Sequence, residues 1–212
     1  QARGGRGQEL EVLAAITKLR RFCCHPRLVY PDVEVGSSKV EALITLVEEL
    51  RENGHRALVF SQFVDLLDLV RERLDECGIS FAYLDGSTPR ATRQRQVDAF
   101  QAGESTLFLI SLKAGGFGLN LTGAGYVIHL DPWWNPAVED QATDRAWRLG
   151  QTRKVNVHKL VCEGTVEEKV SQVIDEKRAL AEQVVGTGEN ADAWLSELST
   201  DELRDLIVLE TD

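Results

Sequence analysis

Two arginines, Arg145 and Arg148, stand three residues apart in a stretch that predicts a helix over residues 136–148. Together with Gln141 they occupy positions i, i+4 and i+7, which lie on one face of an α-helix. A guanidinium group binds phosphate oxygens in pairs and stabilises the negative charge that develops during phosphoryl transfer. The same spacing also suits a solvated helix face on which the arginines form weak surface ion pairs with neighbouring aspartates. Spacing alone leaves both interpretations open.

A glycine-rich segment over residues 114–120 directly follows a strand-like run. Glycines at such a point let backbone amides approach an anionic ligand, although the same residues would also serve in a plain tight turn. The segment does not fit the dinucleotide-binding fingerprint, because the third glycine would fall at Leu121. A phosphate-binding P-loop needs a Gly-Lys pair, which occurs nowhere in the chain. The segment from Gly36 to Lys39 only imitates such a loop, because no strand precedes it.

Two tryptophans, Trp133 and Trp134, lie between Pro132 and Pro136, just after another strand-like run. Large aromatic rings are costly on a bare surface. Either one or both pack into the core, or one presents its flat face to a base or a sugar.

Short apolar runs alternate with amphipathic stretches between residues 39 and 164, and this order predicts alternating strands and helices. The pattern is typical of βαβ crossovers, and it predicts an α/β fold with a mostly parallel sheet covered by helices on both faces. In such sheets ligands bind at the loops that leave the C-terminal strand ends, here after Phe60, Leu84, Ile110 and Leu130. The predicted strands are 57–60, 81–84, 106–111, 126–130 and 155–161, and the predicted helices are 39–53, 63–77, 89–102 and 136–148.

Helical flanks at 9–24 and 165–185 enclose this region, and an acidic tail follows. The predicted domains are a helical lead-in at 1–38, an α/β lobe at 39–164 and a C-terminal helical extension at 165–212. The chain carries 24 basic and 34 acidic residues, and the 4 basic and 14 acidic residues of 161–212 account for the whole excess. Because the remainder is balanced, the overall acidity does not exclude a polyanionic partner.

Composition narrows the class of protein further. With 212 residues, 43% of them hydrophobic, the chain can bury a core. Its first eight residues lack the apolar core of a signal peptide, and no apolar run reaches the roughly 18 to 20 residues that span a bilayer, so we expect no export and no membrane insertion. The four cysteines fit neither a zinc pattern nor a disulfide framework, and we expect structural thiols. The absence of Met indicates a piece of a longer polypeptide.

The order and spacing of these segments resemble the second RecA-like lobe of SWI/SNF-type ATPases, within helicase superfamily two. The resemblance covers roughly residues 10–175. It implies a P-loop-NTPase-like fold and an ATP-hydrolysing DNA translocase, whose two lobes close on ATP, step along one strand of duplex DNA and remodel protein–DNA complexes. The segments that carry it are LRRFCCHP at 19–26, ALVFSQF at 57–63, LDGST with the following arginines at 84–95, SLKAGGFGLNLT at 111–122 and DPWWNPAVEDQATDRAWRLGQ at 131–151.

The resemblance also implies roles for particular residues. Arg145 and Arg148 resemble arginine fingers that reach the γ-phosphate of ATP across the cleft between the lobes. The residues that resemble the nucleotide-facing side of that cleft are Gly116, Gly118, Asn120 and Gln141. The residues that resemble contacts to the tracking DNA strand, mostly to its phosphates, are Gln62, Ser87, Thr88, Ser111, Lys113 and Trp134.

Cofactors and partners follow from the same resemblance. In this family the first lobe supplies the P-loop and the acidic pair that binds Mg²⁺. ATP and Mg²⁺ are therefore implied only for the two-lobe protein, and this chain is expected to bind no metal and no cofactor tightly. The implied partners are double-stranded DNA and the N-terminal RecA-like lobe of the same polypeptide, without a membrane. The implied location is the bacterial cytoplasm, at the nucleoid, or the nucleus of a eukaryote.

Two other hypotheses fit parts of the sequence. The chain could be a stand-alone nucleic-acid-binding module without a motor partner, which a Walker A sequence upstream in the parent polypeptide would exclude. It could also be an RNA helicase lobe. Asn120, the Trp133-Trp134 pair and the ending Leu149-Gly150-Gln151 resemble the remodeller branch instead.

Overall fold

The computed structural model describes residues 2–112, 114, 121–133, 143–144 and 154–183 of the chain. Helices and strands alternate between residues 38 and 111, and a 3₁₀ turn at Pro26–Leu28 follows the first helix. The helices are α1 (Ala2–Cys24), α2 (Ser38–Glu52), α3 (Val64–Glu76), α4 (Arg90–Ala102) and α5 (Val166–Gln183), and the strands are β1 (Ala57–Ser61), β2 (Phe81–Leu84), β3 (Leu107–Ser111), β4 (Tyr126–His129) and β5 (Asn156–Lys159).

The strands form one five-stranded sheet in the order β2-β3-β1-β4-β5, and every neighbouring pair runs parallel. Every residue of β1 and β3 is buried. Strands with such continuous apolar runs are stable only where both faces of the sheet are covered. The predicted parallel sheet is confirmed.

Helices cover both faces of the sheet, and the alternation of side chains along β1 shows which helix lies on which face. Ala57 and Val59 join the apolar residues of α2 and α3 in one cluster. Leu58 and Phe60 join Val97 and Phe100 of α4 in a second cluster. The predicted helical layers are therefore confirmed for the helices that the structure describes.

Several element boundaries differ from the prediction. Helix α1 begins at Ala2 rather than at residue 9, where the apolar stripe starts, and it includes three glycines although glycine disfavours helix. Strand β5 is shorter than the predicted 155–161, and its first two residues are exposed. Of the predicted helix at 136–148, only Thr143 and Asp144 belong to the described residues. The tail from residue 184 onward lies outside them.

The two flanking helices pack on each other. Ile16 of α1 is fully buried and forms a small apolar cluster with Val166, Val170 and Ile174 of α5. The lead-in helix and the C-terminal helix therefore share one core although they lie at opposite ends of the chain. No helix within the described residues is long and apolar enough to cross a membrane.

A buried ion pair joins the start of α2 to the start of α5. Lys39 Nζ lies 2.7 Å from Glu167 Oε1, and the two side chains are 2% and 0% exposed. The Glu167 carboxylate also accepts a hydrogen bond from the backbone N–H of Cys162 at 3.0 Å. Burial opposes the charge of Lys39, yet the Glu167 carboxylate, which attracts the ammonium group and accepts its hydrogen bonds, raises the pKa of Lys39 overall. Because neither charge reaches solvent, each depends on the other.

The four cysteines are free thiols in the structure. Cys23, Cys24 and Cys162 lie around the Lys39–Glu167 pair, and the Cys162 thiol donates to the carbonyl oxygen of Cys23 at 3.4 Å. Burial raises the pKa of Cys24 and raises that of Cys162 to about 11. These groups stay protonated at neutral pH and are weak nucleophiles, as expected of structural thiols.

Replacing Lys39 by Ala should lower the free energy of unfolding by about 3–5 kcal/mol, because the Glu167 carboxylate is left buried without its cation. Urea denaturation followed by circular dichroism measures the change. The control is Arg73→Ala, which removes exposed ion pairs with Glu41 and Glu76 and should lower the stability far less, because solvent screens exposed pairs. Equal effects of the two substitutions would contradict the importance of the buried pair.

Candidate functional site

The carboxyl ends of four neighbouring strands meet at one edge of the sheet. Ser61 of β1 is in register with Ser111 of β3. The ladder continues past the strands, because the backbone N–H groups of Leu112 and Leu130 donate to the carbonyl oxygens of Ser61 and Phe60 at 2.9 Å. The residues that follow these strands, 61–63, 85–88, 111–112 and 130–133, form what we name the strand-end edge. It contains four of the predicted DNA contacts, Gln62, Ser87, Thr88 and Ser111.

Asp131 lies at the end of β4 and is only 1% exposed. Its Oδ1 accepts a hydrogen bond from the Ser61 hydroxyl at 2.5 Å, and its Oδ2 accepts one from the backbone N–H of Gln62 at 3.3 Å. Burial raises the pKa of Asp131, while the charge of Arg20 and the bonds from Ser61 and Gln62 oppose this rise. The carboxylate therefore ties the end of β4 to the end of β1 and fixes the backbone at Gln62.

Arg20 reaches the strand-end edge from helix α1, and its side chain is buried with the residue 1% exposed. Its Nη1 donates to Gln62 Oε1 at 3.5 Å, and its Nη2 donates to the carbonyl oxygen of Pro132. The guanidinium also lies 5.8 Å from the centre of the Phe63 ring. Burial lowers the pKa of Arg20, and the Asp131 carboxylate opposes that effect. One guanidinium therefore contacts the segments that follow both β1 and β4.

Asp85 organises the loop after β2. Its Oδ1 accepts from the backbone N–H of Ser87 at 2.8 Å and from the hydroxyls of Ser87 and Thr88 at 2.7 and 3.0 Å, while Oδ2 accepts from the Tyr83 hydroxyl at 3.0 Å. Partial burial opposes the charge, but these bonds lower the pKa of Asp85 overall. A phosphate offers only acceptors. If Ser87 and Thr88 are to donate to DNA, their hydroxyls must first turn away from Asp85.

The side chains of two other predicted DNA contacts each have a polar atom without a hydrogen-bond partner among the described residues. Gln62 Nε2 and Ser111 Oγ are buried and have no hydrogen-bond partner among the described residues. Leaving such an atom unpaired costs about 1–3 kcal/mol. Because β1 and β3 are neighbours, these two polar atoms lie in the same part of the strand-end edge, and neither is hydrogen-bonded to a described residue.

Hydrogen-bond contacts also link the described sheet and helices to the glycine-rich segment and to the segment that contains Arg145, which carry other predicted site residues. Arg93 of α4 donates to the carbonyl oxygen of Ala114 at 3.2 Å, at the start of the glycine-rich segment. His129 Nε2 lies 3.5 Å from Thr143 Oγ1. The chain two residues before Arg145 therefore lies beside the end of β4.

Trp133, the last residue of the strand-end edge, is only partly buried. Trp133 packs against the apolar cluster that contains Phe60, as the core interpretation of one tryptophan expects. Among the described residues, no group of three or more His, Cys, Asp or Glu side chains could hold a metal ion, so none is assigned as a metal ligand. The predicted site residues outside the described ranges are Lys113, Gly116, Gly118, Asn120, Trp134, Gln141, Arg145 and Arg148.

Sequence reasoning missed three residues that shape the strand-end edge: Arg20, Asp85 and Asp131. A signal for Arg20 exists, because it follows Leu13 and Ile16 at positions i, i+3 and i+7, on the apolar face of α1. A charged residue on an apolar face indicates a buried partner. No comparable spacing singles out Asp85 or Asp131.

Comparisons with known proteins agree with this geometry. The family model of the helicase conserved C-terminal domain matches residues 38–150. The solved SWI2/SNF2 ATPase C-terminal domain of Sulfolobus solfataricus is 34% identical with a TM-score of 0.73, covering 96% of this chain and 83% of that one. The SWI2/SNF2 ATPase core of the same organism, in complex with dsDNA, is 37% identical with a TM-score of 0.77, covering 97% of this chain and 43% of that one.

A mouse relative, the SWI/SNF-related matrix-associated actin-dependent regulator of chromatin subfamily A member 1, is 35% identical over 217 residues, 96% of this chain and 21% of that protein. The chain therefore belongs to the helicase conserved C-terminal domain family and is the RecA-like C-terminal lobe of a SWI2/SNF2-type ATPase. The resemblance and fold class predicted from the sequence are confirmed. The chain spans between about a tenth and about a fifth of the length of the curated relatives it matches.

Replacing Ser61 by Ala should destabilise the fold by about 1–3 kcal/mol at pH 8, because the ionised Asp131 carboxylate loses a hydrogen-bond donor and the backbone N–H of Phe63 loses an acceptor. The loss should be smaller at pH 4. Burial raises the folded-state pKa of Asp131, so protonation stabilises the fold at low pH and this stabilisation is lost as the pH rises through that pKa. Urea denaturation at the two pH values measures both effects.

The matched control for this prediction is Ser105→Ala. The Ser105 hydroxyl is buried without a partner among the described residues, so its removal should be nearly neutral at both pH values. A loss for Ser61→Ala that does not depend on pH would show that the ionised carboxylate does not need this bond.

Proposed function

We propose that this chain is the lobe that engages the tracking strand in a DNA-dependent ATPase that translocates on duplex DNA and remodels protein–DNA complexes. The observation that carries the proposal is the strand-end edge, where successive parallel strands present Gln62, Ser87, Thr88 and Ser111 side by side. The unused polar atoms of Gln62 and Ser111 support it. The double-stranded DNA bound to the related Sulfolobus core supports the choice of ligand.

The proposed DNA contacts, to which Lys113 and Trp134 belong, suit phosphate recognition. Hydroxyl and amide groups bind phosphate oxygens in any sequence, so they position a strand without reading its bases. A motor that steps along DNA of every sequence needs this property. We infer that the protein acts wherever the cell keeps its chromosomal DNA.

Within this proposal, the chain supplies only half of the ATPase site. Phosphoryl transfer needs a phosphate cradle, a metal ion and groups that stabilise the developing charge. The sequence contains no P-loop, so we assign ATP and Mg²⁺ binding to an N-terminal RecA-like lobe of the same polypeptide. Arg145 and Arg148 are the proposed arginine fingers. The residues proposed to face the nucleotide are Gly116, Gly118, Asn120 and Gln141.

The position of Thr143 supports the finger assignment. Its contact with His129 brings the chain just before Arg145 to the end of β4. In parallel α/β sheets ligands bind at this end of the strands. A finger delivered from a separate lobe acts only when the lobes close, so hydrolysis would depend on the motion that drives translocation.

The isolated 212-residue chain should not hydrolyse ATP, because it lacks the phosphate cradle that the reaction requires. A turnover assay with ATP, Mg²⁺ and duplex DNA tests this directly. Steady hydrolysis by the purified chain that disappears in Arg148→Ala would contradict the half-site assignment.

In the two-lobe parent protein, Arg145→Ala and Arg148→Ala should each lower kcat by about 10³ to 10⁵, as for arginine fingers in general. ATP binding should change little, because a finger acts on charge that develops in the transition state. Lysine should not restore full activity, since a point charge does not reproduce a planar fork. Parallel measurements of ATP affinity and kcat separate the two effects.

The control for the finger assignment is Arg51→Ala, which removes an exposed arginine at the end of α2. This variant should keep the parent's kcat. If Arg145→Ala and Arg148→Ala weakened ATP binding as much as turnover, the two arginines would be ground-state ligands rather than fingers.

The isolated lobe should bind duplex DNA weakly and lose affinity steeply with salt, because half of a binding groove makes few phosphate contacts. Removing residues 188–212, which carry eight acidic residues and one basic residue, should tighten binding by reducing repulsion. Fluorescence anisotropy over a salt series measures both. Changing those eight acids to their amides should match the deletion. Tight, sequence-selective and salt-independent binding would refute the phosphate contacts.

A further inference from the structure

Arg20 combines an energetically costly position with contacts to two functional segments. Its side chain is buried, with the residue 1% exposed, and it lies on α1, outside the residues 38–150 that the family model matches. Removing a cation from water costs several kcal/mol, and an apolar side chain of similar volume often serves a core better. Apolar packing alone therefore does not account for a guanidinium group at this buried position.

The contacts of Arg20 converge on Gln62. Arg20 Nη1 donates to the Gln62 side chain, while Asp131 accepts the Gln62 backbone N–H. Gln62 is thus held at its backbone by β4 and at its side chain by α1. Because Gln62 Oε1 is the acceptor for Arg20, the amide nitrogen Nε2 is the group of this side chain that has no partner among the described residues; it is buried, and it would donate to a ligand that reaches it.

The second terminal nitrogen of Arg20 contacts a different segment. Nη2 donates to the carbonyl oxygen of Pro132, immediately before Trp133. The chain continues from there through Trp134 to the segment with Arg145 and Arg148. The planar fork of arginine suits this bridge, since its donors have fixed directions that a lysine ammonium lacks.

We propose that Arg20 is a positioning residue that couples the lead-in helix α1 to the strand-end edge. It aims the Gln62 amide at the tracking strand and sets the path of the chain after Asp131. Any displacement of α1 therefore changes how strongly DNA stimulates ATP turnover. The effect on DNA stimulation rests on the proposed function. The role of Arg20 in holding the segments after β1 and β4 does not depend on it.

Hydrogen exchange on the 212-residue chain tests the fixing of the segments. In Arg20→Met, amides at 60–63 and 129–133 should exchange roughly tenfold faster, as expected from the loss of hydrogen bonds to a charged group, while β3 stays protected. The matched control is Arg21→Met, since Arg21 also lies near the Phe63 ring but donates to Asp65 and Leu28 instead. This control should leave both segments protected.

Turnover of the two-lobe parent tests the coupling to DNA. The ratio of DNA-stimulated to basal ATP hydrolysis should fall roughly tenfold in Arg20→Met, if one charge-assisted hydrogen bond sets the orientation of Gln62. Arg21→Met should keep the ratio. Adding Gln62→Ala to Arg20→Met should lower it little further, because residues that act through one contact are not additive.

Arg20→Lys keeps the buried positive charge and covers the case in which Arg20→Met does not fold. It should also lower the ratio, since one ammonium does not span both acceptors. A ratio equal to that of the unaltered parent would overturn the proposal.

Three other results would overturn it. These are unchanged exchange at 60–63 and 129–133, equal losses of basal and stimulated turnover with a lower Tm, and full additivity of Arg20→Met with Gln62→Ala. A parent that DNA does not stimulate would instead refute the proposed function. In that case the exchange result alone would decide whether Arg20 fixes the two segments.

Discussion

Parallel pairing around a strand that is buried on both faces is the constraint on which the rest of this lobe depends. Strand β1 lies in the centre, bonded to β3 on one side and β4 on the other. Parallel strands need crossover connections, so every strand of the sheet ends at the same edge. The apolar faces leave no room for polar chemistry within the layers. Polar side chains such as Ser61, Ser111 and Asp131 therefore gather where the strands end.

Buried charges then connect the flanking helices to the sheet. Lys39 and Glu167 join α2 to α5, and Arg20 joins α1 to the ends of β1 and β4. Such contacts contribute little net stability compared with apolar packing, because desolvation of each ion opposes the attraction. Their geometry is more demanding than that of apolar contacts. We interpret them as fixing the relative placement of helices that apolar clusters alone, such as that around Ile16, would allow to slide.

Periodicity was sufficient to predict most of the fold from the sequence. The stripe of Val40, Leu43 and Val47 and the unbroken run at 107–110 are local patterns that burial on one face or on two faces produces directly. The residues of the site are harder to predict from the sequence. Asp131 and Arg20 are far apart in the sequence, and their importance arises from long-range contacts. Short motifs carried the resemblance that implied Gln62 and Ser111, but no local pattern shows that Asp85 already occupies the donors of its loop.

The family model ends before β5 and begins after α1. A polypeptide with those limits would leave β4 as a bare edge of the sheet, with backbone groups open to pairing with other chains. It would also leave Asp131 without Arg20, and Lys39 without Glu167. The stretch that the family model matches therefore omits elements that complete the sheet and pair these buried ions. For this lobe, the contacts that complete the sheet and pair its buried ions extend from α1 to α5, beyond both limits of the family model.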